Sequence, residues 1–404
     1  MGFALHSTAL HPLKLARHAR DLPDPVPHPA FRSRTLNPLL SRRTLGAAGL
    51  GLAMSRPAAA SLPTGLGAIA RQNGITFGAA VQSGLLATDA DYAAAFRREA
   101  SMVVPEWEGK WGALQPTEGE FDTAPLDGIL AWAKAQERLV RGHALVWHQH
   151  LPAWAEEALG QGPERATSIM QAHIRRVLAH TRASIRDWDV VNEVIADPPG
   201  SDTPQAGDLE LRDSPFLRAL GPAYIDEALR MARRADPLLR LTLNEYGIEE
   251  DTPAAAEKRR RLLALVRDLL SRGVPLDAVG LQGHLQLAKS FRPEPLTALI
   301  TALRQAGLSV LITEMDIRET ADAPQELAAR DALVNERAYA FVSTALAAGV
   351  RTVFTWGLSD RYSWLTTDPS VAMPAPRTHR GLPLDASFRR NAMWEALRRA
   401  FAGA

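Results

Sequence analysis

Two short strings carry the residues best suited to chemistry: Trp188-Asp-Val-Val-Asn-Glu193 and Val310-Leu-Ile-Thr-Glu-Met-Asp316. Each is an apolar, strand-like run that meets a glutamate. Two carboxyl groups facing one another across a substrate suit glycosidic bond cleavage. One is protonated to help the leaving group depart, and the other is ionised to attack or to activate water. The protonated member needs a raised pKa, which an apolar and crowded setting supplies. Asp316 lies two residues after Glu314, so both share a face if the strand continues that far. From there Asp316 could orient His284, and His284 could hydrogen-bond Glu314 and hold it ionised.

The two glutamates are 121 residues apart, so only the fold can bring them together. After residue 70 the pattern alternates a short β-rich run with a longer amphipathic stretch. Eight strands are expected: Thr76–Val81, Met102–Pro105, Val140–Trp147, Ile185–Val191, Arg240–Leu243, Ala278–Leu281, Ser309–Thr313 and Thr352–Thr355. Helices are expected at Ile129–Arg138, Thr167–His180, Tyr224–Arg234, Ala256–Ser271, Leu296–Ala306 and Asp331–Ala347. Strands alternating with helices imply a parallel sheet, and eight units close a (β/α)8 TIM barrel in the α/β class. Chemistry then sits at the carboxyl ends of the strands. Those ends read Glu106, His148, Asn192 with Glu193, Asn244 with Glu245, Gln282 with His284, Glu314 with Asp316, and Trp356. One or two polar loop caps would be ordinary; a whole ring of them points to an active site.

Other features narrow the chemistry. The 404 residues are 46% hydrophobic and 23% charged, and they include no cysteine. Thiol catalysis, disulfides and Cys-ligated metal are therefore excluded. Residues 1–60 hold eight Lys/Arg against two Asp, which leaves 38 Lys/Arg against 43 Asp/Glu in the remainder. A mildly acidic body argues against nucleic acid or an anionic membrane as partner. His148 and His150 form a His-x-His pair, but only His284 could join them from another strand end, so no metal or other cofactor is expected. Lys110 is suited to bind sugar hydroxyls. Trp107, Trp111, Trp154, Trp356 and Trp364 follow strand ends and could offer flat faces to sugar rings, whereas Trp132 and Trp394 sit in helices and read as packing residues.

The front of the chain reads as an address. Ser41-Arg-Arg-Thr-Leu-Gly46, a short apolar run and Arg56-Pro57-Ala-Ala-Ala60 describe an export signal of the twin-arginine type. Residues 1–60 are expected to be removed, leaving 61–404 as one catalytic domain, periplasmic or secreted, and a monomer without membrane attachment.

Six strings in order resemble glycoside hydrolase family ten, the endo-β-1,4-xylanases. They are Arg141-Gly-His-Ala-Leu-Val-Trp-His148, Trp188–Glu193, Val279-Gly-Leu-Gln-Gly-His284, Ile312–Asp316, Phe354-Thr-Trp-Gly-Leu-Ser-Asp360 and Gly381-Leu-Pro-Leu-Asp385. The resemblance implies retaining hydrolysis of xylan, with Glu193 as acid/base and Glu314 as nucleophile. It implies catalytic support from His284, Asp316 and Asn192. It also implies a sugar cleft lined by Glu106, Lys110, His148, Asn192, Gln282, His284, Trp356 and Trp364, with Asn192 touching the 2-hydroxyl. Two departures stand out. Glu106-Trp-Glu-Gly-Lys-Trp111 replaces the usual Glu-Asn-Glu-Met-Lys-Trp, and Asn244-Glu-Tyr-Gly247 replaces Asn-Asp-Tyr-Asn. Trp107 could therefore stack on a sugar or block part of the cleft. The alternatives are a related β-1,4-glucanase and a barrel that binds carbohydrate without cleaving it.

Overall fold

Short runs of Val, Ile, Leu and Thr, covered on their outer face by helices, pair in parallel because each is followed by a helical return. The structure, a computed structural model, describes residues 65–204 and 210–404; the export segment expected over 1–60 lies outside them. The strands are β1 (Thr76–Val81), β2 (Met102–Pro105), β3 (Leu139–Gly142), β4 (Val146–Trp147), β5 (Ile185–Asn192), β6 (Arg240–Glu245), β7 (Ala278–Leu281), β8 (His284–Gln286), β9 (Ser309–Arg318) and β10 (Thr352–Thr355). Eight of them close a parallel barrel in the order β1-β2-β3-β5-β6-β7-β9-β10, with β10 returning to β1. The short β4 extends the β3 position beside β5, and β8 extends the β7 position beside β9.

Four strands have the bounds expected from sequence: β1, β2, β7 and β10. The expected strand Val140–Trp147 is instead two pieces. Its register beside β5 shifts between Val140 and Gly142, and pairing resumes only at Val146. Period-two patterning does not register such a bulge, because apolar residues resume directly after Arg141, Gly142 and His143. Three other strands run past their expected ends, to Asn192, Glu245 and Arg318. Polar side chains there suggested loops, but backbone pairing is indifferent to side-chain polarity at an open barrel mouth.

The helices that cover the barrel include Ala124–Ala135, Pro163–Thr181, Ala223–Ala235, Pro253–Ser271, Pro293–Gln305 and Leu327–Ala347. Three of these begin at a proline ahead of the expected start. Proline lacks only an N–H that the first turn leaves unpaired anyway, and its φ suits the position. Thr252 caps the Pro253 helix by accepting from the Ala255 N–H at 3.1 Å.

Inside the barrel the core is partly ionic. Arg141 donates to both oxygens of Asp189, at 2.6 and 2.7 Å, and lies 3.5 Å from Asp187. Close packing demands glycine beside it. A Cβ on Gly142 would stand 2.0 Å from the Trp188 ring. The result is a rigid floor from which the strand ends project.

Candidate active site

β9 runs through Asp316, and although its register beside β10 shifts between Ile312 and Met315, Glu314 and Asp316 both meet His284. The Glu314 N–H donates to the Gln282 carbonyl at 2.8 Å, which locks the strand end to its neighbour. Glu314 Oε1 accepts from Asn244 Nδ2 at 2.6 Å. His284 Nε2 is 3.4 Å from Oε2, and His284 Nδ1 is 3.0 Å from Asp316 Oδ1. The second Asp316 oxygen accepts the Trp364 indole N–H at 2.5 Å. Burial alone would discharge His284, but Asp316 and Glu314 outweigh it and raise its pKa well above the ordinary value. The imidazole is therefore a cation beside Glu314.

Glu193 follows β5 directly and has a left-handed backbone, φ 58. Its N–H donates to the Asn244 carbonyl at 2.9 Å, and its carbonyl accepts from Arg212 Nε at 2.8 Å. Gln282 Nε2 donates to Glu193 Oε1 at 3.1 Å and lies 3.4 Å from Asn192 Oδ1. Asn192 Oδ1 also accepts from Asn244 Nδ2 at 2.8 Å. The two glutamates are thus joined through three amides, those of Gln282, Asn192 and Asn244. Asn192 Nδ2 is buried without a hydrogen-bond partner among the described residues, which leaves a donor for a ligand.

The electrostatics of Glu193 differ from the elevated pKa expected of a proton donor. Burial pushes its carboxyl up, yet His148, the Trp147 indole, Arg212 and Gln282 together bring it below the ordinary value. Burial holds the His148 pKa at about 4, so the imidazole charge opposing protonation is lost at neutral pH. A bound sugar, by expelling water, would strengthen the upward pull of burial.

The remaining expected residues line the same mouth. Lys110 is buried, with its ammonium 4.0 Å from the Trp107 ring centroid, 4.9 Å from Trp147 and 5.9 Å from Trp356. Burial lowers its pKa, against the attraction of Glu314, Glu106, Glu193 and Glu108. Glu106 accepts from Gln82 Nε2 at 3.0 Å, and burial raises its pKa to about 7. Trp107 is 42% exposed, while its neighbours Glu106, Glu108 and Lys110 are buried. Its edge meets His150, with centroids 5.1 Å apart.

Two of the tryptophans read as sugar platforms are spent otherwise. Trp111 is buried and stacks flat on His173 at 3.9 Å, so it is core. Trp154 donates its indole N–H to the Gln115 carbonyl at 2.9 Å and packs on Trp111. Trp394, read as packing, is buried and donates to Glu99 at 2.9 Å.

Sequence reasoning gave no role to Asn244 or His143. Asn244 lies one residue before the end of β6 and pairs with Asn192 at the end of β5; its place in the ring of polar strand ends was its signal. Thr313 Oγ1 donates to Asn244 Oδ1 at 2.7 Å, which turns the amide nitrogen toward Glu314. His143 lies in the gap between β3 and β4, its Nδ1 3.0 Å from Asp189 and 3.7 Å from Glu314 Oε1. His143, Asp189 and Glu314 are the group among the described residues whose ligand-type atoms approach within 4.8 Å. Both Asp189 oxygens already bind the Arg141 guanidinium, so this set is an ion-pair network with its own cation.

A mouth of this shape, with a carboxylate pair and bordering indoles, accommodates sugars, and the chain is a glycoside hydrolase of the barrel class. Residues 65–400 match the family model described as glycosyl hydrolase family 10, and the chain belongs to that family. It is 34% identical over 278 residues to endo-1,4-beta-xylanase A of Fusarium oxysporum f. sp. lycopersici, covering 67% of this chain and 79% of the relative. It is likewise 34% identical over 304 residues to endo-1,4-beta-xylanase A of Phanerodontia chrysosporium, covering 74% and 69%. Among solved structures, xylanase 10B of Thermotoga maritima superposes with a TM-score of 0.72 at 26% identity, covering 84% of this chain and 98% of that one. A xylotriose complex of an intracellular xylanase from Thermoanaerobacterium saccharolyticum superposes with a TM-score of 0.71 at 26% identity, covering 84% and 99%.

Proposed function

We propose that this protein is an endo-β-1,4-xylanase that cleaves internal bonds of xylan with net retention. The observation that carries this is the amide bridge that joins Glu193 to Glu314 at one barrel mouth. Glu314, set between Asn244 and cationic His284, attacks the anomeric carbon. Glu193 gives its proton to the departing glycosidic oxygen and then takes one from the water that releases the glycosyl ester. The unpartnered Asn192 Nδ2 donates to the 2-hydroxyl, a contact that strengthens as charge develops at the anomeric centre. Lys110, Glu106, Gln282 and His148 bind the remaining hydroxyls. Trp356 and Trp364 border the sugar, and Trp107 offers an exposed plate beyond Lys110.

Product analysis from xylan tests the proposal. Short xylo-oligosaccharides with retained anomeric configuration are expected. Glu314→Ala should abolish turnover, while Glu193→Ala should keep the first step on substrates with good leaving groups and form glycosyl azide when azide is added. Full activity of both variants on xylan would end the assignment. Faster release from carboxymethylcellulose than from xylan would transfer the substrate to β-glucan.

Export through the twin-arginine route and a monomeric state belong to the same proposal. Fusion of residues 1–60 to a reporter, with Arg42 and Arg43 changed to lysine as control, tests the first. Light scattering of the purified protein tests the second.

A further inference from the structure

Glu193 is not glycine, yet its backbone is left-handed. Such a conformation is strained for a residue with a side chain and persists only where the surroundings over-determine it. One side of the restraint is the Asn244 carbonyl, which accepts the Glu193 N–H at 2.9 Å. The other is Arg212, whose Nε donates to the Glu193 carbonyl at 2.8 Å.

Arg212 is itself buried and tightly held. Its Nη2 donates to the Ile195 carbonyl at 3.3 Å, to Asp197 Oδ2 at 3.1 Å and to the Tyr246 hydroxyl at 2.9 Å. The Tyr246 hydroxyl donates in turn to Asp197 Oδ2 at 2.5 Å. Lys258 Nζ completes the cluster, 2.7 Å from Asp197 Oδ1 and 3.1 Å from Glu245 Oε1. Glu245 Oε2 accepts the Ile195 N–H at 3.0 Å. The peptides on the carboxyl side of Glu193 are therefore gripped by one buried ionic cluster. Burying such charges rarely adds net stability. A guanidinium that spends its Nε on one backbone carbonyl is better explained by what that carbonyl belongs to.

We infer that Arg212 is a positioning residue for Glu193: by fixing the peptide that follows Glu193, it aims the carboxyl at the departing glycosidic oxygen. This rests on the reading of Glu193 as acid/base. Glu314 is oriented from other directions, by Asn244 and His284, so loss of Arg212 should leave the nucleophile in place. Protonation matters for a sugar leaving group and hardly at all for an acidic phenol. The consequence is a split by leaving group, which a general loss of folded enzyme cannot produce.

The experiment measures kcat/KM of the full chain on xylohexaose and on 2,4-dinitrophenyl β-xylobioside. Arg212→Met is expected to lose about tenfold or more on xylohexaose and less than about twofold on the aryl glycoside, a tenfold loss being about 1.4 kcal/mol. Arg212→Lys keeps a charge but cannot span the Glu193 carbonyl and Asp197 together, so it should show the same split at smaller size. If Arg212→Met does not fold, the ratio from Arg212→Lys decides. Equal losses on both substrates, or no loss, would overturn the inference. Glu193→Ala is measured alongside and should show the larger split. If it shows none, the acid/base reading itself fails; if it splits and the Arg212 variants do not, only the role of Arg212 fails.

Discussion

Asn244 donates its side-chain amide to Glu314 at 2.6 Å, from a position two strands away in the barrel. The same nitrogen lies 2.8 Å from Asn192, so one amide sets both a carboxylate and a neighbouring amide. Replacement by leucine removes a preorganised donor and should lower kcat by about a hundredfold with little change in folding. Steady-state kinetics with a thermal melt check this. Gly280→Ala should act through the same residue, since its Cβ would stand 2.1 Å from Asn244 Oδ1.

Cationic His284 depends on Asp316. Burial works against the imidazolium, and the two carboxylates overcome it. Asp316→Asn removes the larger opposing charge, so the pKa of His284 must fall and the cation will be lost at a lower pH. The alkaline limb of kcat/KM should move toward acid, with about tenfold less activity than wild type near pH 8. A pH–rate profile whose alkaline limb stays in place would contradict this.

Glu106 predicts a pH dependence of stability. Its folded pKa is about 7, against 4.5 for the ordinary group, and burial is the leading cause. The folded state therefore holds a proton that the unfolded state has released. The contribution to stability is full below pH 4.5 and declines as pH rises to about 7. Glu106→Gln removes the titration, so its Tm relative to wild type should rise between those limits and level off above them. Thermal melts across that range test it, and a flat difference would refute the burial argument. Above pH 7 the variant should also bind xylan less well, because the amide there replaces an ionised acceptor.

Trp107 is the exposed indole of an otherwise buried segment. Trp107→Ala should raise KM for xylan about threefold to tenfold while kcat changes little, the mark of binding shared by ground and transition states. A fall in KM would show instead that the indole obstructs the cleft.

Much of this protein was legible before any coordinates. Eight apolar strands, the ring of polar residues at their ends, and the pairing of Glu193 with Glu314 follow from side-chain type and spacing. Even the His284–Asp316 contact was accessible, because both residues sit just past the ends of expected neighbouring strands. The strands and their polar ends depend on local periodicity, which sequence records directly, and the pairings then follow from closing those strands into a barrel.

Contacts between residues distant in the chain that do not end neighbouring strands were not legible. Trp111 follows a strand end as Trp107 does, yet one stacks in the core and the other faces solvent, a choice made by the His173 helix. The break between β3 and β4, which presents His143 to Asp189, is invisible to alternation of apolar residues. The charge balance at Glu193 was not legible for the same reason, since His148, Trp147, Arg212 and Gln282 reach it from other parts of the chain. Sequence by itself determined which residues could do the chemistry and on which architecture. Barrel closure alone decided which of them meet, because electrostatic and hydrogen-bond energies depend on distances that no spacing along the chain encodes.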